Sequence, residues 1–299
     1  MSAAAPPVWR SLLYVPANNR RFIDKSHTRG ADGLILDLED SVPPGERETA
    51  RGALERSVKI AGAGPGDVLV RVNSAAPDAE ADLDAAVIPG VAALVLPKAE
   101  SPAQVVEISR KVAALEQARG MESGAIRFFV LIESSEGLLN AREVARADPR
   151  VAALSLGSED FAAETGMQPS EDNLLIPKQL SLFAARAAGV MPLGLVGSIA
   201  AYQDIGNLER IALRSRALGF EGASCIHPSA VPVLNEAFTP SRFEVEKSKR
   251  IVAASEKAAA EGRGAFELDG RMVDAPVVAR ARRLLQRAEA VERRLHRIG

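Results

Sequence analysis

The sequence predicts an α/β fold, a (β/α)8 TIM barrel followed by a C-terminal helical extension. Three observations predict the barrel: eight short apolar runs bounded by polar residues, Gly or Pro, helix-forming segments between them, and runs that are apolar on both faces. The 299 residues allow one such domain, since α/β barrels of roughly 250 residues form single domains. We therefore expect the barrel at residues 1–240 and the extension at 241–299.

The apolar runs give the predicted strands in order. They are residues 11–16, 33–40, 68–73, 93–98, 127–134, 153–160, 192–197 and 222–228. Between the fourth and fifth strands, Val105, Val112 and Leu115 can share one face of a crossover helix. A doubly wound open sheet is the alternative, but it normally has fewer strands and, if it binds a dinucleotide, a Gly-rich turn after the first strand. The segment "VPANNRRF" contains no glycine, which favours the barrel.

Polar side chains stand at the ends of the predicted strands. The carboxyl ends of barrel strands meet on one rim, where active sites are built. Taken singly, each of these side chains could be a helix cap or a loop salt bridge, but together they predict a functional site. They are Asp37, Glu39 and Asp40 on the second strand, Arg71 and Asn73 on the third, Lys98, Glu133, Glu159 and Asp160 on the next three, and His227 on the eighth, whereas Gly197 and Ser198 end the seventh.

The carboxylates on this rim outnumber its cations and predict a divalent metal ion. Oxygen ligands favour Mg2+, with Mn2+ possible, and zinc is disfavoured because only His227 of the three histidines falls on the rim. Glu133 and Asp160 would suffice as ligands, with Glu39 and Asp40 holding metal-bound water. Such an ion beside Arg71 suits an oxyanion that develops on a 2-oxo or 2-hydroxy acid. Lys98 could instead form a Schiff base in a metal-free aldolase, but we expect it in a salt-bridge network.

Composition and charge exclude several classes of protein. The 37 Lys and Arg residues balance 39 Asp and Glu residues, which argues against a nucleic-acid partner. No apolar run reaches the roughly 18 residues of a membrane span, and the first residues do not resemble a signal peptide. The single Cys225 permits no disulfide within the chain and fits a reducing compartment. We expect a cytoplasmic protein with a short disordered leader.

Distinctive sequence blocks run in order along nearly the whole chain. They are "LLYVPANNRR", "DLEDSVPPGERETAR", "VRVNS", "VLPKAES", "IESSEGLLNA", "LGSEDFAAETG", "LGFEGASCIHPSAVPVLNEAFTP" and "DGRMVDAP". Together they resemble the citrate lyase beta-subunit-like family, the CoA-ester lyase branch of the HpcH/HpaI aldolase superfamily. The resemblance implies a Mg2+-dependent (β/α)8 barrel that cleaves or forms the bond between an acetyl-CoA enolate and a 2-oxo acid.

The resemblance also implies roles for the residues of the rim. Glu133 of "IESSEG" and Asp160 of "GSEDF" would be the metal ligands, and Arg71 of "VRVNS" would contact the keto oxygen and stabilise the enolate. Glu39 and Asp40 of "LEDSV" would bond metal-bound water. These roles agree with the interpretation of the strand ends and add the substrate class.

Coenzyme A would enter as part of the substrate. By resemblance, Arg20, Arg21 and Lys25 would meet its phosphates, and His227 would lie near the thioester arm. A solvated helix face is the alternative for the three cations, and a structural role is the alternative for His227.

The C-terminal segment bears on the subclass. Its connector "GRGAFELDGRMVDAP" predicts a flexible joint or a short hairpin, and Asp274 before Ala275 and Pro276 predicts a capped helix start. By resemblance, Asp274 also closes over an active site, often that of a neighbouring subunit, and acts as acid and base at the acetyl carbon. By the same resemblance the tail would act as a lid, and its presence favours a stand-alone homo-oligomer, a trimer or hexamer.

The hypothesis is a retro-Claisen lyase acting on a 3-hydroxyacyl-CoA such as citramalyl-CoA or malyl-CoA, with acetyl-CoA and pyruvate or glyoxylate as products. Three alternatives stay open: a 2-oxo-acid aldolase on non-CoA substrates, the citryl-thioester lyase subunit of a citrate lyase complex, and a non-catalytic barrel.

Overall fold

The computed structural model describes residues 7–197 and 203–296. The chain forms two compact units, Met1–Phe238 and Thr239–Gly299. The predicted leader at residues 1–6 and Ser198 lie outside the described residues. No helix in the two described ranges is long and apolar enough to cross a membrane.

The first unit contains one curled sheet of eight parallel strands, as predicted. The strand order is β7-β6-β5-β4-β3-β2-β1-β8, so β8 returns beside β1. A parallel bridge joins Leu193, which follows β7, to Gly222, which precedes β8, and the sheet is consistent with a TIM-barrel-like fold. The strands are β1 Ser11–Pro16, β2 Gly33–Asp37, β3 Asp67–Arg71, β4 Val91–Leu96, β5 Arg127–Ile132, β6 Val151–Leu156, β7 Met191–Pro192 and β8 Ala223–Cys225.

Several strands end earlier than predicted. The predicted ends at residues 40 and 160 were wrong, because β2 ends at Asp37 and β6 at Leu156. Asp160 lies in the first turn of a helix, Ser158–Thr165. A carboxylate in that position interacts favourably with the positive end of the helix dipole, so Asp160 suits the start of a helix.

Helices connect the strands and cover the outer face of the sheet. Ser101 caps the crossover helix after β4 through a capping box with Gln104, and Val105 and Val112 of that helix are buried, as their spacing predicts. The helices of this unit are α1 Arg20–Ser26, α2 Arg47–Ala61 after a 3-10 turn Pro44–Glu46, α3 Asp78–Ala86, α4 Pro102–Ala118, α5 Ser135–Leu139, α6 Ala141–Ala145, α7 Ser158–Thr165, α8 Glu171–Ala188, α9 Ile205–Leu218 and α10 Ala230–Ala237.

Side chains along each strand alternate between the two faces of the curled sheet. One buried cluster contains Leu12, Ile35, Leu69 and Phe129, and their strand neighbours belong to the larger cluster with the helices. Two residues further along the respective strands come Tyr14, Asp37, Arg71 and, beyond Leu131, Glu133. The alternation therefore directs these four polar side chains to the interior at the carboxyl ends of the strands.

Buried polar contacts occupy the amino ends of the strands. Arg150 donates two hydrogen bonds to Glu116, at 2.7 and 2.6 Å. Arg10 Nε donates to Asp32 at 2.7 Å, and Trp9 Nε1 donates to Asp67 at 2.7 Å. In barrels this end contributes to stability, whereas the opposite end carries chemistry.

The second unit contains two helices and a hairpin: α11 Arg242–Ala260, β9 Phe266–Leu268, β10 Arg271–Val273 and α12 Ala275–His296. Asp269 and Gly270 both have positive φ, as a two-residue hairpin turn requires, so the connector forms the predicted hairpin. Asp274 Oδ1 accepts a hydrogen bond from the Val277 amide at 3.3 Å and caps α12, as predicted. That this unit acts as a lid stays a prediction.

Candidate active site

A cavity of about 370 Å³ lies at the carboxyl ends of the strands in the first unit. It brings together six of the rim residues that the sequence predicted for the site: Asp37, Asp40, Arg71, Glu133, Glu159 and Asp160. Its lining also includes Tyr14, Ser155, Gly157 and Lys178.

Arg71 is held rigidly at one side of this cavity. Its Nε and Nη2 donate to the two oxygens of Asp37 at 2.6 and 2.8 Å, and its Nη1 donates to Asp40 at 3.0 Å. Burial disfavours the charge of Arg71, but the hydrogen bonds to Asp37 raise its pKa above the ordinary value. The Tyr14 ring lies 4.8 Å from the guanidinium carbon. Two of the five guanidinium N–H groups make no hydrogen bond to described residues and can meet a substrate oxygen.

Glu39 lies between two cations behind the cavity. Its Oε1 accepts from Lys98 Nζ at 2.6 Å, while its Oε2 is 3.0 Å from Arg71 Nη1. Burial raises the pKa of Glu39, although Arg71 and Lys98 oppose this rise. The Oε2 atom is buried and forms no hydrogen bond within the described part of the chain. This oxygen therefore has capacity to accept a hydrogen bond from water.

Glu133 is a buried carboxylate with a strongly shifted pKa. Its Oε2 accepts from the Lys98 backbone amide at 2.8 Å. Burial raises the pKa of Glu133 to about 7, and the nearby Glu39 and Asp160 charges raise it further, against the amide and Arg71. Lys98 presents its amide from a left-handed backbone conformation, with φ of 52°. Such a conformation costs a non-glycine residue roughly 1–2 kcal/mol, so the fold tolerates strain to hold this contact.

Gly157 makes room for the Glu133 carboxylate. A Cβ atom at residue 157 would lie 2.6 Å from both Cγ and Oε1 of Glu133. Gly157 is also the N-cap residue of α7, whose first turn carries Asp160. The turn after β6 therefore brings its backbone against one predicted metal ligand and carries the other.

The donor set fits magnesium. Glu133 and Asp160 both place carboxylate oxygens at one cavity, burial and then the charges of Glu39 and Asp160 raise the pKa of Glu133, and Glu39 adds a buried oxygen that accepts no hydrogen bond from described residues. Within residues 7–197 and 203–296, no group of three or more His, Cys, Asp or Glu side chains is arranged to hold a metal. Two carboxylates with several water ligands are the set that Mg2+ commonly takes.

The residues predicted to bind CoA lie elsewhere. Arg20 and Lys25 are exposed on α1, where Arg20 lies 3.6 Å from Asp24, and Arg21 is exposed beside them. His227 is exposed, with its Nδ1 2.7 Å from Ser229 Oγ. None of the four lines the cavity, and their roles toward CoA stay predictions.

The sequence interpretation missed Tyr14, Gly157 and Lys178. Tyr14 follows from the alternation along β1, which was not applied to the first strand. Lys178 falls on the same helical stripe as the buried Leu174 and Leu182, and a lysine on an apolar helix face is a signal of function. Gly157 carries no signal by itself, because its role depends on a side chain from another strand.

Comparison with known proteins identifies the family. The HpcH/HpaI aldolase/citrate lyase family model matches residues 10–228. Citrate lyase subunit beta of Escherichia coli K12 is 37% identical over 285 residues, covering 94% of this chain and 93% of its own. A (3S)-malyl-CoA thioesterase of Cereibacter sphaeroides is 32% identical over 286 residues, covering 95% of each.

A solved structure agrees with this assignment. The crystal structure of CitE from Mycobacterium tuberculosis in complex with magnesium, acetoacetate and coenzyme A superposes with a TM-score of 0.73 at 31% identity, covering 96% of this chain and 99% of that one. The chain belongs to the HpcH/HpaI aldolase/citrate lyase family and is an enzyme of its CoA-ester lyase class. Magnesium and coenzyme A, expected from the sequence, are both present in that relative.

Proposed function

We propose that this protein is a Mg2+-dependent carbon–carbon lyase that cleaves or forms a 3-hydroxyacyl-CoA such as citramalyl-CoA or malyl-CoA. The products of cleavage are acetyl-CoA and a 2-oxo acid, pyruvate or glyoxylate. The observation that carries the proposal is the cavity in which the Glu133 and Asp160 carboxylates lie together with Arg71, a rigid cation with two N–H groups still available.

Each side chain has a definite task in this reaction. Glu133 and Asp160 would hold the magnesium ion, which supplies Lewis-acid stabilisation of negative charge on oxygen when bound. Arg71 would donate its remaining N–H groups to the substrate hydroxyl oxygen as that oxygen becomes the keto oxygen of the product. Asp37 and the Tyr14 ring keep the guanidinium in place, so little reorganisation is needed during the reaction.

The proton and the electron pair balance as follows. The hydroxyl of the 3-hydroxyacyl-CoA gives its proton to solvent water, its C–O bond becomes the keto C=O of the 2-oxo acid, and the electron pair of the broken carbon–carbon bond forms the enolate of acetyl-CoA. Asp274, in its acid form, would protonate that carbon. The condensation reverses these steps, with Asp274 removing the proton from acetyl-CoA.

We propose further that the barrel spans residues 1–240, that residues 241–299 form a lid given to a neighbouring subunit, and that the enzyme is a homo-oligomer, a trimer or hexamer. A cytoplasmic location belongs to the same proposal. The proposal also includes CoA binding. Arg20, Arg21 and Lys25 would bind the CoA phosphates and His227 the thioester arm, and the bond cleavage does not depend on these contacts.

A second candidate is the citryl-thioester lyase subunit of a citrate lyase complex, favoured by the 37% identity to a citrate lyase subunit beta. It uses the same metal and enolate chemistry but releases oxaloacetate, and its acyl group is carried by a protein. Substrate tests must therefore include a citryl thioester.

The test measures pyruvate, glyoxylate and oxaloacetate released from citramalyl-CoA, malyl-CoA and citryl-CoA, with Mg2+ and with EDTA. We expect release of pyruvate or glyoxylate that EDTA abolishes. Asp274→Asn should lower the rate by about 100-fold or more, the usual contribution of a general acid or base. Asn still caps a helix well, so this change isolates the proton transfer from the capping role.

Asp269→Asn is the matched control, because Asp269 is an exposed aspartate on the same hairpin. It should leave the rate near that of the wild type. Release of oxaloacetate alone would support the second candidate. No release from any ester by a protein that binds Mg2+ would overturn the CoA-ester proposal.

A further inference from the structure

Lys178 is a buried cation that the catalytic scheme leaves unused. It lies on α8, with only 3% of its surface exposed, and it lines the same cavity as Glu133 and Asp160. Its Nζ donates one hydrogen bond, to the carbonyl oxygen of Leu156 at 2.5 Å. Leu156 is the last residue of β6, so the ammonium reaches inward from an outer helix to the end of a central strand.

The described residues around Lys178 accept fewer hydrogen bonds than its ammonium can donate. An ammonium carries three N–H donors, and one is used. Among the described residues Lys178 forms no ion pair, whereas Lys98 of the same rim pairs with Glu39 at 2.6 Å. Burial lowers the pKa of Lys178 to about 7, and Glu159 opposes this lowering. A buried charge without a partner is unfavourable and marks a functional position.

A purely structural role does not explain a lysine at this position. The contact with the Leu156 carbonyl requires only one neutral donor, which a glutamine could supply without burying a charge. The positive charge becomes favourable when an anion enters the cavity and accepts the two remaining N–H groups. Arg71, the other cation of the lining, uses three N–H groups on Asp37 and Asp40, and the proposed reaction assigns its remaining two to the substrate hydroxyl oxygen.

We propose that Lys178 is a substrate-binding residue whose ammonium holds a carboxylate of the 2-oxo acid. The identity of this anion rests on the proposed function, since the oxo acid is the product of cleavage. Every 2-oxo acid carries a carboxylate on C1, and a dicarboxylic one such as oxaloacetate carries a second. If Lys178 contacts the C1 carboxylate, it orients every 2-oxo acid. If it contacts the second carboxylate, it selects dicarboxylic oxo acids.

The experiment is calorimetric titration of the full-length protein, saturated with Mg2+, by pyruvate, glyoxylate and oxaloacetate. The variants are Lys178→Met, which keeps length and removes charge, and Lys178→Arg, which keeps the charge. Lys178→Met should weaken binding by about 10- to 100-fold, the usual effect of losing a hydrogen bond to a charged group, and Lys178→Arg should restore part of it. Titration with Mg2+ alone should give the same Kd in all variants within about twofold.

The pattern across ligands distinguishes the two carboxylates. Weaker binding of all three acids supports a contact to the C1 carboxylate, and weaker binding of oxaloacetate alone supports a contact to the second. In the condensation direction, Lys178→Met should raise KM for the affected oxo acid and leave KM for acetyl-CoA unchanged. This split would not follow from a general loosening of the fold.

Leu182→Ala is the control for helix packing, because Leu182 is buried one turn further along α8 and does not line the cavity. It should lower Tm without changing any Kd. Three results would overturn the inference: unchanged oxo-acid Kd in Lys178→Met, a parallel loss of Mg2+ affinity, or no oxo-acid binding by the wild type. If the protein binds oxo acids through Lys178 but cleaves no CoA ester, the proposed function is wrong and the inference about Lys178 still holds.

Discussion

Glu133 is the buried carboxylate that we propose as a metal ligand. Burial is the main cause that disfavours its ionised form, the charges of Glu39 and Asp160 add to this effect, and the Lys98 amide and Arg71 oppose it. Its pKa of about 7 lies above the ordinary 4.5. Between these pH values the folded, metal-free protein holds a proton that the unfolded chain has released. Stability of the metal-free protein therefore falls as pH rises through this interval.

Magnesium affinity should depend on pH for the same reason. Below pH 7 the metal must displace the proton on Glu133, so its affinity should fall by about tenfold per pH unit, and above pH 7 it should level off. Calorimetric titration with Mg2+ between pH 5.5 and 8.5 measures this profile. Glu133→Gln should bind Mg2+ weakly at every pH, and a wild-type profile that is flat down to pH 5.5 would contradict the role of Glu133.

Among the elements, the turn between β6 and α7 is the most constrained part of the site. It brings Gly157 against Glu133 and starts the helix that carries Asp160. Gly157→Ala should push the Glu133 carboxylate aside, since the new Cβ would lie 2.6 Å from its Oε1. We expect Mg2+ affinity to fall by about 10- to 100-fold, as for other changes next to metal ligands.

Gly52→Ala is the matched control for this change. Gly52 lies in the interior of α2, and a Cβ there would meet no atom within 4 Å. It should raise the free energy of unfolding by about 0.5–1 kcal/mol and leave the Mg2+ Kd unchanged. Equal Mg2+ affinity in Gly157→Ala and the wild type, measured by the same titration, would show that Glu133 does not need this space.

The elements also show what the sequence can predict. Period-two alternation and strand ends were enough to find Arg71 and Glu133, because both lie on the strand or one residue beyond it. Asp160 was placed at this cavity for the wrong structural reason, since it belongs to a helix that strand patterns do not describe. Lys178 and Gly157 contact residues from other elements, and the residue pattern along one element does not predict such contacts.

In the first unit, the residues that stabilise the fold and those that line the cavity lie at opposite ends of the sheet. The amino ends hold the Arg150–Glu116 and Arg10–Asp32 ion pairs, and the carboxyl ends hold the cavity. Glu116 also accepts hydrogen bonds from the backbone amides of Gly124 and Ile126, at 2.9 Å each. This buried network joins α4 to the starts of β5 and β6, far along the strands from Glu133.

Arg150→Met should therefore destabilise the protein without affecting the site. Removing one partner of a buried ion pair leaves an uncompensated charge, and the expected loss is about 3–5 kcal/mol of unfolding free energy. Urea unfolding measures the loss, and Mg2+ titration of the folded variant should give the wild-type Kd. Arg142→Met, which removes an exposed arginine 3.8 Å from Glu143, should change stability by less than about 1 kcal/mol. A similar effect of the two substitutions would contradict this division.

The chemical make-up of the cavity has a consequence for redox conditions. Within the described part of the chain, no side chain that lines the cavity carries sulfur or an imidazole. The single cysteine, Cys225, is buried, and burial raises the pKa of its thiol to about 12, so it reacts poorly as a nucleophile. Peroxide therefore finds no sulfur or imidazole to oxidise among these side chains. Chelation of the metal, rather than oxidation of the protein, is the chemical route by which such a site would lose its function.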